Sequence, residues 1–154
     1  VWGGWAGGLG LGVVGSGGGD DLDTARGVVD GVGPGSWTHA LGVRVEEGGP
    51  MVGTQGWGTG AVETLDSVLA RHPAVRHLLV TDIACDGMLD GPNLALMTAI
   101  VTAHPAVELQ ASGGVAILDD LTDLAAVGAS RAIVGKAIWE RRFTVAEAVA
   151  HAQL

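Results

Sequence analysis

At 154 residues and 47% hydrophobic content the chain can bury one real core but not two ordinary ones, and it is not a disordered polymer. A formal charge of −9 excludes nucleic acid and anionic membrane as partners, since no basic stripe is present to displace counterions from phosphates. Cys85 is the single cysteine, which excludes a disulfide framework and makes a reducing cytoplasm the expected compartment.

The first expected strand is the apolar run Leu9–Gly15. The stretch before it has no positive n-region or cleavage signature and is too short and glycine-dense to span a membrane. It opens on Val1 rather than Met, so the expectation is that the natural beginning lies further upstream. A helix is expected over Leu22–Val32, after Asp20-Asp21, and a strand over His39–Val45. Glu63–Arg71 carries Leu65, Val68 and Leu69 at helical spacing, and His77–Thr81 reads as a buried strand. The helix Asn93–His104 carries Leu94, Met97, Ile100 and Val101, and the strand Val107–Ala111 follows. Leu118–Val127 has Asp119 and Asp120 near its start and Gly128 just past its end as a C-cap. A last strand, Ala132–Val134, precedes the helix Thr144–Ala152, where Thr144 and Glu147 have capping-box spacing.

The five strands are near-continuously apolar, as parallel strands covered on both faces are. Strand–helix alternation implies βαβ units, in either an open doubly wound sheet or a (β/α)8 barrel. A faint echo between Val13–Ser16 (VVGS) and Ile133–Lys136 (IVGK) favours a barrel built from similar halves. A complete barrel takes roughly 200 residues or more, so the expected fold is a partial TIM barrel in one domain, 1–154. Most of the 27 glycines crowd the first 60 positions, where each weakens a helix or strand by roughly 0.5–1 kcal/mol, so residues 1–36 read as a degraded unit.

Chemistry-bearing residues gather where strands hand over to helices. In TDIACDGMLDGPN (Thr81–Asn93), Asp82 suits an Asx-turn and Asp86 a loop tip over the barrel mouth. Thr81 has the alternative of an ordinary β-branched strand residue, and Asp86-Gly87 that of a plain turn pair. QASGG (Gln110–Gly114) and AIVGKA (Ala132–Ala137) place Ser112, Gly113, Gly114, Gly135 and Lys136 on consecutive strand ends. Glycine there lets backbone approach an anion, and two such turns together point to phosphate. The five histidines, residues 39, 72, 77, 104 and 151, show no metal-ligand spacing. Neither a metal nor another cofactor is expected.

The order TDIACDGMLDGPN, QASGG, AIVGKA and RRFTVAEA (Arg141–Ala148) resembles the ProFAR isomerase family of histidine biosynthesis. The sister cyclase barrel shares the T-x-I-x-x-D-G strand end but not Gly91-Pro92-Asn93. The likeness is strong over 77–152, recognisable back to Trp57, and thin before that. It implies that the chain covers strands four to eight, with residues 1–36 as strand four and 37–154 as strands five to eight. It further implies an aldose–ketose isomerase, performing an Amadori rearrangement on a ribotide with a phosphate at each end. Asp86 and Thr81 would stand at the reacting centre. Trp57 would pack on the substrate, with Gly91, Ser112, Gly113, Gly114, Gly135, Lys136, Gly15 and Ser16 binding it and its phosphates. The family's base ends strand one, outside the matched strands, and its acid is an aspartate ending strand five where this chain has Gly42. A branch that also serves tryptophan synthesis carries arginine at the Gln55 position.

Two functional classes follow. One is an isomerase by descent, impaired by Gly42, acting on a small ribotide. The other is a non-catalytic phosphate-binding half-barrel that assembles with itself or with a complementing chain.

Overall fold

The computed structural model describes residues 12–15, 37–53 and 61–152. It is an α/β fold whose chain divides into two compact units, one up to Leu79 and the other from Val80. The expected helix Leu22–Val32 and the residues Ser16 and Trp57 lie outside the described residues.

In the first unit, β1 (Gly12–Gly15) pairs in parallel with β2 (Trp37–Glu46), Gly12 opposite Trp37 and Gly15 opposite Ala40. The expected strand at His39–Val45 is thus present and longer. The chain then departs from the all-parallel expectation. β3 (Gly49–Gly53) runs antiparallel to β2, Val43 opposite Val52 and Glu46 opposite Gly49, and β4 (Ala61–Thr64) runs antiparallel to β3. The reversal takes only Glu47 and Gly48, with Gly49 at φ +102°, a backbone state that glycine reaches without a Cβ clash. A short glycine turn between two β-prone runs is a hairpin signal, and parallel pairing would have needed a long crossover.

Thr64 caps α1 (Leu65–Arg71), its hydroxyl accepting from the Ser67 N–H at 3.2 Å. Leu65, Val68 and Leu69, spaced at three and four residues, are its buried face. They join Leu41, Val43, Val52, Val75 and Leu78 in the core of this unit. Glu63 accepts from Ser67 Oγ and Arg71 Nη2, both at 2.5 Å. The Ser67 bond first, and then Arg71, hold its carboxyl below the usual carboxylate range.

His39 of β2 lies 6.2 Å, centroid to centroid, from His72 at the end of α1. Burial, and then the neighbouring His72, lower its pKa from 6.5. The folded state therefore resists a proton that the unfolded chain accepts. Above pH 6.5 the effect is absent; as pH falls below it, stability is lost until the folded pKa is passed. Urea denaturation at several pH values should show that loss in the wild type and a much flatter profile in H39F. Equal slopes for the two proteins would refute a role for His39.

β5 (His77–Asp82) runs across the boundary into the second unit, and β5, β6 (Glu108–Ser112) and β7 (Arg131–Ile133) lie side by side in that order. β6 and β7 are parallel, with Gln110 opposite Arg131 and Ser112 opposite Ile133. Between strands run α2 (Leu94–Ala103) and α3 (Asp119–Ala126), as helical spacing predicts. α2 packs on β6 and α3, and α3 on β7 and on α5 (Val145–His151). Val80, Leu96, Met97, Ile100, Leu109, Leu124 and Phe143 form the core.

The caps follow the sequence closely. Gly128, at φ +94°, ends α3 in a Schellman motif, with Ala129 N–H donating to Leu124 O and Gly128 N–H to Ala125 O. Thr144 and Glu147 form the capping box of α5. Hydrogen bonds from Thr144 hold the Glu147 carboxyl below its ordinary pKa. No described helix is long and apolar enough to cross a membrane.

Candidate functional site

β5 alternates. Leu78, Val80 and Asp82 are buried on one face, while His77, Leu79 and Thr81 are half-buried on the other. A buried carboxylate needs hydrogen bonds, and Asp82 has them. Its side chain accepts from Ala84 N–H at 2.8 Å, closing the expected Asx-turn, and from Asn93 Nδ2 at 2.6 Å. Asn93 also caps α2 by accepting from Leu96 N–H at 3.0 Å. Asp82 therefore fixes both ends of the loop 83–93, and is structural.

The same economy anchors the loop after β6. Asp120, buried, accepts from Ala116 and Ile117 N–H at 2.7 and 3.0 Å. The sequence reading placed Asp120 only at the start of a helix, and its reach back to its own loop carries no sequence signal beyond that position. Gly114, at φ +87°, packs on Gly91 so closely that a Cβ would stand 2.2 Å from Gly91 O. Gly91 N–H donates to Gly114 O at 3.1 Å. A Cβ on Gly113, at φ +99°, would meet Asp82 O at 2.9 Å. These two glycines let the β5 and β6 loops touch backbone to backbone.

Beside that junction is an open cavity of about 340 Å³. Asp86, Ser112, Gly113, Gly114, Gly135 and Lys136, all singled out from sequence, line it. Gly91 supports it through Gly114, while Thr81 lies outside its lining. Gly42 is buried in β2 of the other unit, and Gly15 ends β1 there.

Sequence reasoning missed Gly87, Leu89, Val115, Ile133 and Trp139, which also line the cavity. Ile133 and Trp139 sit in AIVGKAIW on either side of the glycine turn, so their neighbourhood was legible though their part in the wall was not. Gly135 precedes the short helix α4 (Lys136–Trp139), and nothing lies within 4 Å of a Cβ built on it. Lys136 donates to Gly87 O at 2.7 Å and lies 3.7 Å from Glu140 Oε1. Its wall combines one ammonium, one carboxylate, the Ser112 hydroxyl and four glycines with the apolar side chains of Leu89, Val115, Ile133 and Trp139.

The model of a family described as histidine biosynthesis protein matches residues 8–144. The chain belongs to that family. A relative from Maricaulis maris (strain MCS10), named 1-(5-phosphoribosyl)-5-((5-phosphoribosylamino)methylideneamino) imidazole-4-carboxamide isomerase, is 48% identical over 115 residues. That match covers 73% of this chain and 47% of the relative. Proteins of the same name from Shewanella loihica and Psychromonas ingrahamii are 44% and 42% identical, over 72% and 71% of this chain and 46% of each relative. The chain thus spans about half the length of the curated relatives it matches.

Cys85, next to Asp86 in the chain, is half-buried. Burial first, and then the charges of Asp82 and Asp90, raise its thiol pKa. It is a protonated thiol at neutral pH and a poor nucleophile.

Proposed function

We propose that the chain carries the phosphate-binding and loop-bearing part of a ProFAR isomerase, the later strands of a (β/α)8 barrel. The substrate is the bis-phosphorylated ribotide, and the reaction is an Amadori rearrangement of an aminoaldose to an aminoketose in the cytoplasm. The supporting observation is the cavity that gathers Asp86 with Ser112, Gly113, Gly114, Gly135 and Lys136. In this reading the peptide groups of both glycine turns and Lys136 take a terminal phosphate, while Asp86 faces the sugar. By the family pattern Thr81 and Gly91 belong to the same site, and Trp57, Gly15 and Ser16 are substrate-binding residues by resemblance alone.

The rearrangement needs an acid to open the ribose ring and a base to take the proton from the adjacent carbon. Carboxylates with tuned pKa values suit both tasks. Where the pattern has the acid, this chain has Gly42, which holds no proton to give. That observation favours a second reading, a phosphate-binding half-barrel without turnover that pairs with itself or a complementing chain. Its contact surface would include Val145 and Val149, which are exposed one helical turn apart on α5. Sedimentation at micromolar concentration should then give a mass above the monomer, and a compact monomer would end that reading.

Binding itself is tested with ribose 5-phosphate. Amide shifts should move first at Gly114 and Gly135. G135D puts a carboxylate against the phosphate at a position with room for a side chain, so it should abolish the shifts while the protein stays folded. Unmoved amides in the wild type at saturating ligand would overturn the phosphate assignment.

A further inference from the structure

The loop that carries Asp86 is held firmly at its two ends and lightly at its tip. At the start, Asp82 O accepts from Cys85 N–H at 3.2 Å and Asp86 N–H at 3.0 Å, and at the far end Gly91 is bonded to Gly114. The tip is Gly87, Met88 and Leu89. Its backbone is strained, because Leu89 sits at φ +60°, a region that costs a residue with a Cβ. Met88 is 59% exposed, so burial contributes little to holding the tip down. Against that strain stands a contact made across 49 residues of sequence, Lys136 Nζ donating to Gly87 O at 2.7 Å. Lys136 lines the same cavity as Asp86 and Gly87.

We infer that Lys136 is the positioning residue of this site, a latch that holds the Gly87 tip down so that Asp86 faces the cavity, and that a phosphate seated there tightens it. The second half of this inference rests on the phosphate reading above. An ammonium has three donors, so one can stay on Gly87 O while another meets a phosphate oxygen. Glu140, 3.7 Å away, draws the ammonium the other way. A phosphate that fixes the side chain over the cavity removes this freedom, and the loop tip inherits the rigidity.

Cys85, half-buried two residues before the tip and bonded through its carbonyl to the Met88 N–H, is the reporter. Its alkylation by iodoacetamide should quicken when the loop lifts. K136M should raise the alkylation rate about fivefold, the worth of one solvent-screened charge-assisted hydrogen bond, and K136R should return it to the wild-type value. Removing a cation disfavours a nearby thiolate, so electrostatics alone would slow the reaction, and acceleration reports opening. Inorganic phosphate should slow alkylation of the wild type but not of K136M. In the wild type it should also protect the Met88 amide, whose acceptor is Cys85 O, from hydrogen exchange. Equal rates in K136M and wild type would overturn the latch. Acceleration in K136M with no effect of phosphate on the wild type would leave the latch standing and remove the phosphate reading.

Discussion

Gly114→Ala should destabilise the protein by roughly 3–5 kcal/mol, at the upper end of what a single substitution does. Two independent costs combine. At φ +87° an alanine pays the left-handed penalty of about 1–2 kcal/mol. Its methyl would also stand 2.2 Å from Gly91 O and 2.8 Å from Gly91 C, and both are backbone atoms with no rotamer to escape into. The β5 and β6 loops would have to separate, breaking the Gly91 N–H to Gly114 O bond. G135A is the control: its φ lies outside the left-handed region and open space surrounds the added methyl, so its stability should stay within about 0.5 kcal/mol of wild type. Urea midpoints measured side by side decide the matter. A G114A midpoint close to that of G135A would mean that the loops are not in contact in solution.

The second large effect concerns turnover. Assayed with the bis-phosphorylated aminoaldose, the chain should isomerise it at least roughly 10²-fold more slowly than the Maricaulis maris relative, because one positioned acid contributes about 10²–10⁴. In the proposed reading Gly42 is the reason, since it stands at the family's acid position and holds no proton for the ring oxygen. Ribose 5-phosphate should still bind, as the cavity residues are a separate set from Gly42. A rate equal to the relative's would place the acid elsewhere, with Asp86 the first candidate. D86N would then abolish what Gly42 had not.

Much of this molecule was legible before any coordinates. The helices Leu65–Arg71, Leu94–Ala103, Asp119–Ala126 and Val145–His151 fall within a few residues of their apolar spacing and caps, because capping and amphipathic burial are local. The capping box at Thr144 and the Asx-turn at Asp82 are likewise written in neighbouring residues. The cavity's glycine turns and Asp86 were legible as motifs, since close backbone approach and strand-end carboxylates restrict the residue types allowed. What tertiary structure alone decided is which groups meet. The hairpin of β2 and β3 came from a two-residue turn that the apolar pattern by itself did not weigh. Asp120 holding the Ile117 N–H, Gly114 seated on Gly91, and Lys136 reaching Gly87 are pairings over 3, 23 and 49 positions. The short one reads equally well as an ordinary helix start, and the long ones depend on which loops the sheet brings side by side. Propensity acts within a turn or two of chain, whereas the close approach of two backbones is fixed only when the strands beneath them are in register.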